Sequence, residues 1–265
     1  MTTSAGGVGL EMPRRLAATS RLNRPRHDER VRVLILRHAQ SVSNAHKEAA
    51  SLPDSEGDRL TDKGFEQARN AAEALKGRDI TRLIASPMRR AQETAAPIAE
   101  ALGLKIETDP EIYELREEEG YGELGPEEQK LRRWSEWMVA HSDDPEYAPP
   151  GADSFAGIRG RTRGLMHRME SEEGRPLIVT HGIFLRFLLI DILLGDGFGP
   201  QDAARLWQLR TVNCGLSVFD YREPRREVDH DTDDWLCAMW MQPLGGAPAS
   251  TPTPTPAPPR QDAGR

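Results

Sequence analysis

Residues 31–36 read VRVLIL, a β-branched and aliphatic run interrupted by one arginine, and Arg37-His38-Ala39-Gln40-Ser41 follow directly. A strand that is apolar at nearly every position must be covered on both faces, the situation of a central strand in an α/β sheet. Open sheets of that kind place their ligands beyond the carboxyl ends of the strands. A histidine ending a strand is, alone, an ordinary hydrogen-bonded structural residue. Its meaning depends on what the neighbouring strands carry.

Two further segments repeat the arrangement. TRLIA (81–85) precedes Ser86-Pro87 and a helical pattern to Leu102, with Pro87 expected at the first helical position and Gly103 beyond the end. PLIVT (176–180) precedes His181-Gly182 and the apolar helix Ile183 to Leu194. Between the first two strands, Phe65, Ala68, Ala72 and Leu75 recur at helical spacing behind Thr61, a residue suited to the N-cap, and this helix should end at Gly77. An edge strand is expected over 104–107, an acid-rich loop over 109–126, and helices over 127–141 and 154–172. Later strands are expected over 211–219 and 235–241, joined by an acidic turn at 229–234. Strands alternating with helices predict an α/β fold, a three-layer αβα sandwich with a mostly parallel central sheet.

In a parallel sheet Arg37-His38, Arg89-Arg90 and His181 fall along one edge. Two imidazoles and several guanidiniums gathered there suit a phosphoryl group. Arginine forks match tetrahedral oxyanions, and a neutral imidazole beside them can act as nucleophile.

Composition narrows the remaining possibilities. The hydrophobic fraction is 37%, low for a wholly globular chain of 265 residues. Residues 1–30, rich in arginine, are expected to form a disordered basic arm, and the Pro/Thr/Ala tract 243–265 a disordered tail, leaving 31–242 as one domain. The net charge of -7 offers no general attraction to nucleic acid or to an anionic membrane. There is no signal-peptide core or apolar run long enough to span a bilayer. Cys214 and Cys237 are too few for a disulfide scaffold or a four-cysteine metal site, and neither HExxH nor CxxC occurs. A cytoplasmic protein without metal or cofactor is expected. Oligomeric state carries no mark in the sequence. His141 and His167 fall within expected helices and read as surface or helix-end residues, and Trp137 as a packing residue.

With these residues in order, the chain resembles the histidine phosphatase superfamily, the phosphoglycerate-mutase-like fold. Its opening motif, arginine-histidine-glycine-x-serine-x-x-asparagine, is met as Arg37 to Asn44, with Ala39 replacing the glycine. The LTxxG element is Leu60 to Gly64. Ser86-Pro87-Met88-Arg89-Arg90-Ala91-Gln92-Glu93-Thr94 is similar to the family's serine-proline-leucine-x-arginine element, and Thr180-His181-Gly182 to its late histidine-glycine motif. The resemblance implies that His38 accepts the phosphoryl group and that Arg37, Asn44, Arg90 and His181 hold its oxygens. It also implies an acid in the loop after the second motif. In Leu115-Arg116-Glu117-Glu118-Glu119-Gly120-Tyr121-Gly122, one register selects Glu117 and the other Glu118, while Glu114 and Glu119 fit less well.

These readings predict a metal-independent phosphatase acting on a small phosphorylated substrate. A mutase of the same family is the nearest alternative, although the stretch between Glu117 and His181 is short for the long insertion of the phosphoglycerate mutases. A phosphoester-binding module without turnover is the alternative that Ala39 supports: an added methyl beside the nucleophile would crowd the phosphate, unless the backbone accommodates it where no positive φ is required.

Overall fold

The structure, a computed structural model, describes residues 31–45, 58–116, 136–221 and 235–244. The arm 1–30, the tail beyond Leu244, the acidic turn 229–234 and both candidate acids, Glu117 and Glu118, lie outside the described residues. Six strands form one sheet: β1 (Val31–Arg37), β2 (Arg82–Ala85), β3 (Ile106–Thr108), β4 (Pro176–Thr180), β5 (Gly215–Tyr221) and β6 (Trp235–Pro243). Their order is β3-β2-β4-β1-β5-β6. Pairings from β3 through β2 and β4 to β1 are parallel, and β5 pairs antiparallel with both β1 and β6.

Alternation within the strands explains the two-sided cover. In β1, Leu34 and Leu36 enter one apolar cluster and Val33 and Ile35 another. Leu83 and Ala85 of β2, and Leu177 and Val179 of β4, share the first cluster, whereas Ile84 and Ile178 share the second. Helices α2 (Asp62–Leu75) and α3 (Arg89–Leu102) cover the first face through Ala68, Ala72, Leu75, Ala95 and Ile98. Helices α4 (Phe155–Met169) and α5 (Gly182–Leu194) cover the second through Leu165, Phe184 and Leu188. The short α1 (Val42–Ala45) follows the β1 end. The expected three-layer sandwich is present, and among the described residues no helix is long and apolar enough to cross a membrane.

Several boundaries differ from the sequence reading for local reasons. Pro87 precedes α3 instead of opening it, because Met88 is the N-cap and the first helical residues are Arg89 and Arg90. Strand β5 starts at Gly215, since 211–214 are spent on a turn in which Cys214 has φ 51° and its N–H donates to Arg37 O at 3.2 Å. Two 3-10 segments, Gly195–Gly197 and Pro200–Gln208, continue the chain after α5. Of the helix expected over 127–141, residues 136–140 are helical.

The LTxxG element has a clear physical role. Thr61 caps α2, its Oγ1 accepting from Gly64 N at 3.0 Å, and Leu60 is buried. Thr61 N donates to Gln40 O at 3.0 Å, and a Cβ at Gly64 would run into that same carbonyl oxygen. Glycine therefore lets the start of α2 dock against the loop that follows His38. Gly64→Ala is expected to cost about 1–3 kcal/mol by overpacking against backbone, and Thr61→Ala about 1 kcal/mol by loss of the cap. Urea denaturation of the two variants checks both values.

Candidate active site

Register sets the site. Arg37 pairs with Thr180 and Ala85 with Val179, so β1, β2 and β4 end level with one another. The ladder is continued by His38 N donating to Thr180 O at 2.9 Å and Ser86 N to Val179 O at 3.0 Å. His38, Ser86 and His181 thus leave the sheet side by side, and the first turn of α3 brings Arg90 over them.

His38 is 2% exposed and its Nδ1 lies 2.7 Å from Ala39 O. A carbonyl can only accept, so Nδ1 carries the proton and Nε2 keeps its lone pair. Arg90 Nε donates to that Nε2 at 3.3 Å. The His181 ring is 5.2 Å from the His38 ring, tilted by 52°. Burial pushes both histidines well below their ordinary value of 6.5; Arg90 and Arg37 add to the effect at each, with His38 and Arg161 contributing at His181. The pair is neutral, and the positive charge of the site resides on guanidiniums.

Arg37 lies across the start of α5. Its Nη1 donates to Thr211 O at 3.2 Å, and a Cβ at Gly182 would stand 3.1 Å from both Arg37 Nε and Thr211 Oγ1. The glycine after His181 is thereby explained as room for the guanidinium. Arg90 is 2% exposed, with Nη1 3.8 Å from Asp58 Oδ2, and Asp58 in turn accepts from Ser43 N and Ser43 Oγ. Asp58 escaped the sequence reading because it sits in a polar stretch with no periodicity to mark it as buried.

Asn213 was also missed. Its Nδ2 donates to His38 O at 3.1 Å and to Asn44 Oδ1 at 3.0 Å. The carbonyl fixes which end of the Asn213 amide is the donor, so the atom of Asn44 facing it must be oxygen. Asn44 consequently turns its own NH2 away from Asn213. The turn before β5 that supplies Asn213 reads in sequence as part of the strand, which concealed it.

Ala39 fits without strain. It is fully buried in the first apolar cluster, its N–H donates to Thr94 Oγ1 at 3.0 Å, and the described non-glycine residues with positive φ are Asp79, Cys214 and Met241. Its methyl packs downward into the core.

Of the loop acids among the described residues, Glu114 is the one placed against the start of α5. It is 7% exposed; Oε1 accepts from Phe184 N and Leu115 N, each at 3.0 Å, and Oε2 from Ile183 N at 3.0 Å. The carboxylate therefore caps α5 immediately beyond His181. Its neighbours Ile112 and Leu115 are buried, and that apolar pair around a carboxylate is the signal by which the sequence could have disclosed it. Arg161 holds the segment in place, donating to Glu111 O, Tyr113 O and Asp153 Oδ2, with its guanidinium 3.7 Å from the centre of the Tyr113 ring. His167 is exposed and faces Glu170, and His141 stacks on Tyr147 at 4.4 Å beside Trp137. Among the described residues no group of three or more His, Cys, Asp or Glu is arranged to hold a metal ion.

Two neutral imidazoles and two guanidiniums at the ends of parallel strands define a class of α/β enzymes that handle phosphoryl groups. The family model of the histidine phosphatase superfamily (branch 1) matches residues 33–234, and the chain belongs to that family. It is 34% identical over 222 residues to the probable phosphoglycerate mutase GpmB of Enterobacter sp. (strain 638), covering 82% of this chain and 93% of that protein. The Yersinia enterocolitica protein of the same name is 33% identical over 217 residues, covering 80% and 90%. Among solved structures, mycobacterial glucosyl-3-phosphoglycerate phosphatase superposes with a TM-score of 0.59 at 22% identity, covering 80% of this chain and 99% of that one.

The neutral state of the two histidines has a consequence for stability. Unfolded, each titrates near 6.5; folded, each takes up its proton only at much lower pH. The folded state thus binds fewer protons below 6.5, and stability that is complete above that value is lost as the pH falls toward the folded values. The loss should steepen toward about 1.4 kcal/mol per pH unit for each histidine. Denaturant titrations between about pH 7 and pH 5 should show it, with a shallower slope in His181→Gln.

Proposed function

We propose that this chain is a phosphomonoesterase that hydrolyses a small phosphorylated substrate through a phosphohistidine on His38. The observation that carries the reading is the hydrogen bond from His38 Nδ1 to Ala39 O, which leaves the lone pair on Nε2, where it accepts from Arg90 Nε until a phosphoryl group takes that place. Arg37, Arg90, His181 and the outward NH2 of Asn44 are the donors for the phosphoryl oxygens. Charge spreads over those oxygens in the transition state, so fixed cationic donors supply most of the catalysis. The P–O bond to the leaving alcohol breaks as the bond from Nε2 to phosphorus forms, and the alcohol oxygen takes a proton. Water then attacks phosphorus, the P–N bond breaks and inorganic phosphate leaves.

Glu114 is the best-placed acid. Its Oε1 receives two backbone N–H bonds and Oε2 one, so Oε2 keeps a position at which a proton can ride. Glu117 and Glu118, which spacing to the motif favours, lie outside the described residues and are the alternatives for this role. A mutase is the second reading, favoured by the name that the relatives at 33–34% identity carry.

Purified protein is expected to release inorganic phosphate from an aryl phosphate in excess chelator, and His38→Ala to lose that activity; a mutant that keeps the full rate would eliminate the covalent route. With 3-phosphoglycerate, phosphate release supports the phosphatase and accumulation of the 2-isomer the mutase. For the acid, Glu114→Ala should reduce turnover of an alkyl phosphate about 100-fold or more, and of an activated aryl phosphate far less. Equal losses on both substrates would make Glu114 a purely structural cap and return the role to Glu117 or Glu118, to be tested as Glu117→Gln and Glu118→Gln.

A further inference from the structure

His181 has two ring nitrogens with different surroundings. Nε2 lies 2.7 Å from Ser86 Oγ, whereas Nδ1 is buried and has no hydrogen-bond partner among the described residues. The usual partners for a residue at the start of a helix are taken, since Glu114 accepts from both Ile183 N and Phe184 N and the His181 side chain makes no cap bond. Both His181 and Ser86 are fully buried.

Ser86 resolves which nitrogen holds the proton. Its Oγ already accepts from Met88 N at 3.3 Å, and its own hydroxyl proton has one hydrogen-bond partner in the described structure, His181 Nε2. If the hydroxyl donates, Nε2 is the acceptor, the neutral ring carries its proton on Nδ1, and a single group, Nδ1–H, waits for a ligand. If Nε2–H donated instead, the buried hydroxyl proton and a bare Nδ1 lone pair would both be unmatched. Buried polar groups left without partners are costly, so the first arrangement prevails. It is also the one that suits the ligand. A phosphate dianion has only acceptors, which an N–H satisfies and a lone pair repels.

We infer that Ser86 is a positioning residue: its hydroxyl donates to His181 Nε2, fixes the Nδ1–H tautomer and so supplies a hydrogen-bond donor for a phosphate oxygen. The inference takes from the proposed function only that phosphate enters beside His181. It assigns the serine of the Ser-Pro element a chemical purpose separate from that of Arg90 four residues further on, and it makes both site histidines the same tautomer for opposite ends: His38 to free its Nε2 lone pair, His181 to offer its Nδ1 proton.

The test is a direct reading of the tautomer. ¹⁵N-resolved spectra of the full chain at neutral pH, with the His181 signals assigned by their loss in His181→Gln, should show a proton-bearing Nδ1 and an acceptor-type Nε2. Ser86→Ala should abolish that preference and weaken binding of inorganic phosphate and kcat/KM by about 10- to 100-fold, and Ser86→Thr should restore both. A wild-type spectrum with the proton on Nε2 overturns the inference, whatever the variants do. So does a folded Ser86→Ala protein with unchanged tautomer and unchanged phosphate affinity. A wild-type protein that shows the Nδ1–H form and binds phosphate, yet hydrolyses no monoester, would sink the proposed hydrolase and leave the role of Ser86 standing.

Discussion

The pairing of β1 with β4 is the constraint on which the site depends. Because the two strands are parallel and Arg37 is opposite Thr180, the backbone bond from His38 N to Thr180 O brings the residues after both strands to one level. One residue of slippage would exchange the faces of β1, sending Leu34 and Leu36 to the side of α4 and α5 and Val33 and Ile35 to the other. Register and core packing are therefore the same requirement, and the separation of the two imidazoles, 5.2 Å between ring centres, follows from it.

Electrostatics within that frame divides the tasks. A guanidinium as buried as Arg90 needs a counter-charge, and Asp58 at 3.8 Å provides one; at an effective dielectric of about 20 such a pair is worth roughly 4 kcal/mol before desolvation is counted. With cations already fixed at Arg37 and Arg90, a proton on either imidazole would add a third positive charge to a buried space. The histidines stay neutral through their burial and these cations, and that same feature ties the stability of the fold to pH.

The parts of this arrangement that were legible in the sequence are those that depend on period and order. The apolar runs ending in Arg37-His38, Ser86 and His181 located three parallel strands and the edge they share; Thr61 and Gly103 were read correctly as caps, whereas the helix expected to run to Gly77 stops at Leu75. What escaped were residues whose role is set by partners distant in the chain. Asn213 acts on His38 and Asn44 from a turn that reads as strand, and Arg161 reaches the acid-bearing segment from the middle of α4. Neither contact leaves a local pattern. Glu114 carries a different kind of signal: in a run of four acids among six residues around Arg116, spacing to a motif favours Glu117 and Glu118, while the burial of Glu114 depends on how Ile112 and Leu115 pack.

Ala39 shows how a departure from a motif is judged by what the backbone asks of the position. Glycine is needed where φ is positive or where a Cβ meets neighbouring atoms, and the second demand is made twice close to the site: at Gly64 against Gln40 O, and at Gly182 against Arg37. Position 39 makes neither demand. Its N–H goes to Thr94, its φ is ordinary, and the extra methyl enters the cluster beneath β1. The hydroxyl of Thr94 that receives this N–H donates in turn to Arg90 O at 2.6 Å, so the residue following His38 is linked through one side chain to the helix turn that carries Arg90. An alanine here adds apolar contact beneath His38 and leaves the face of His38 that meets Arg90 untouched.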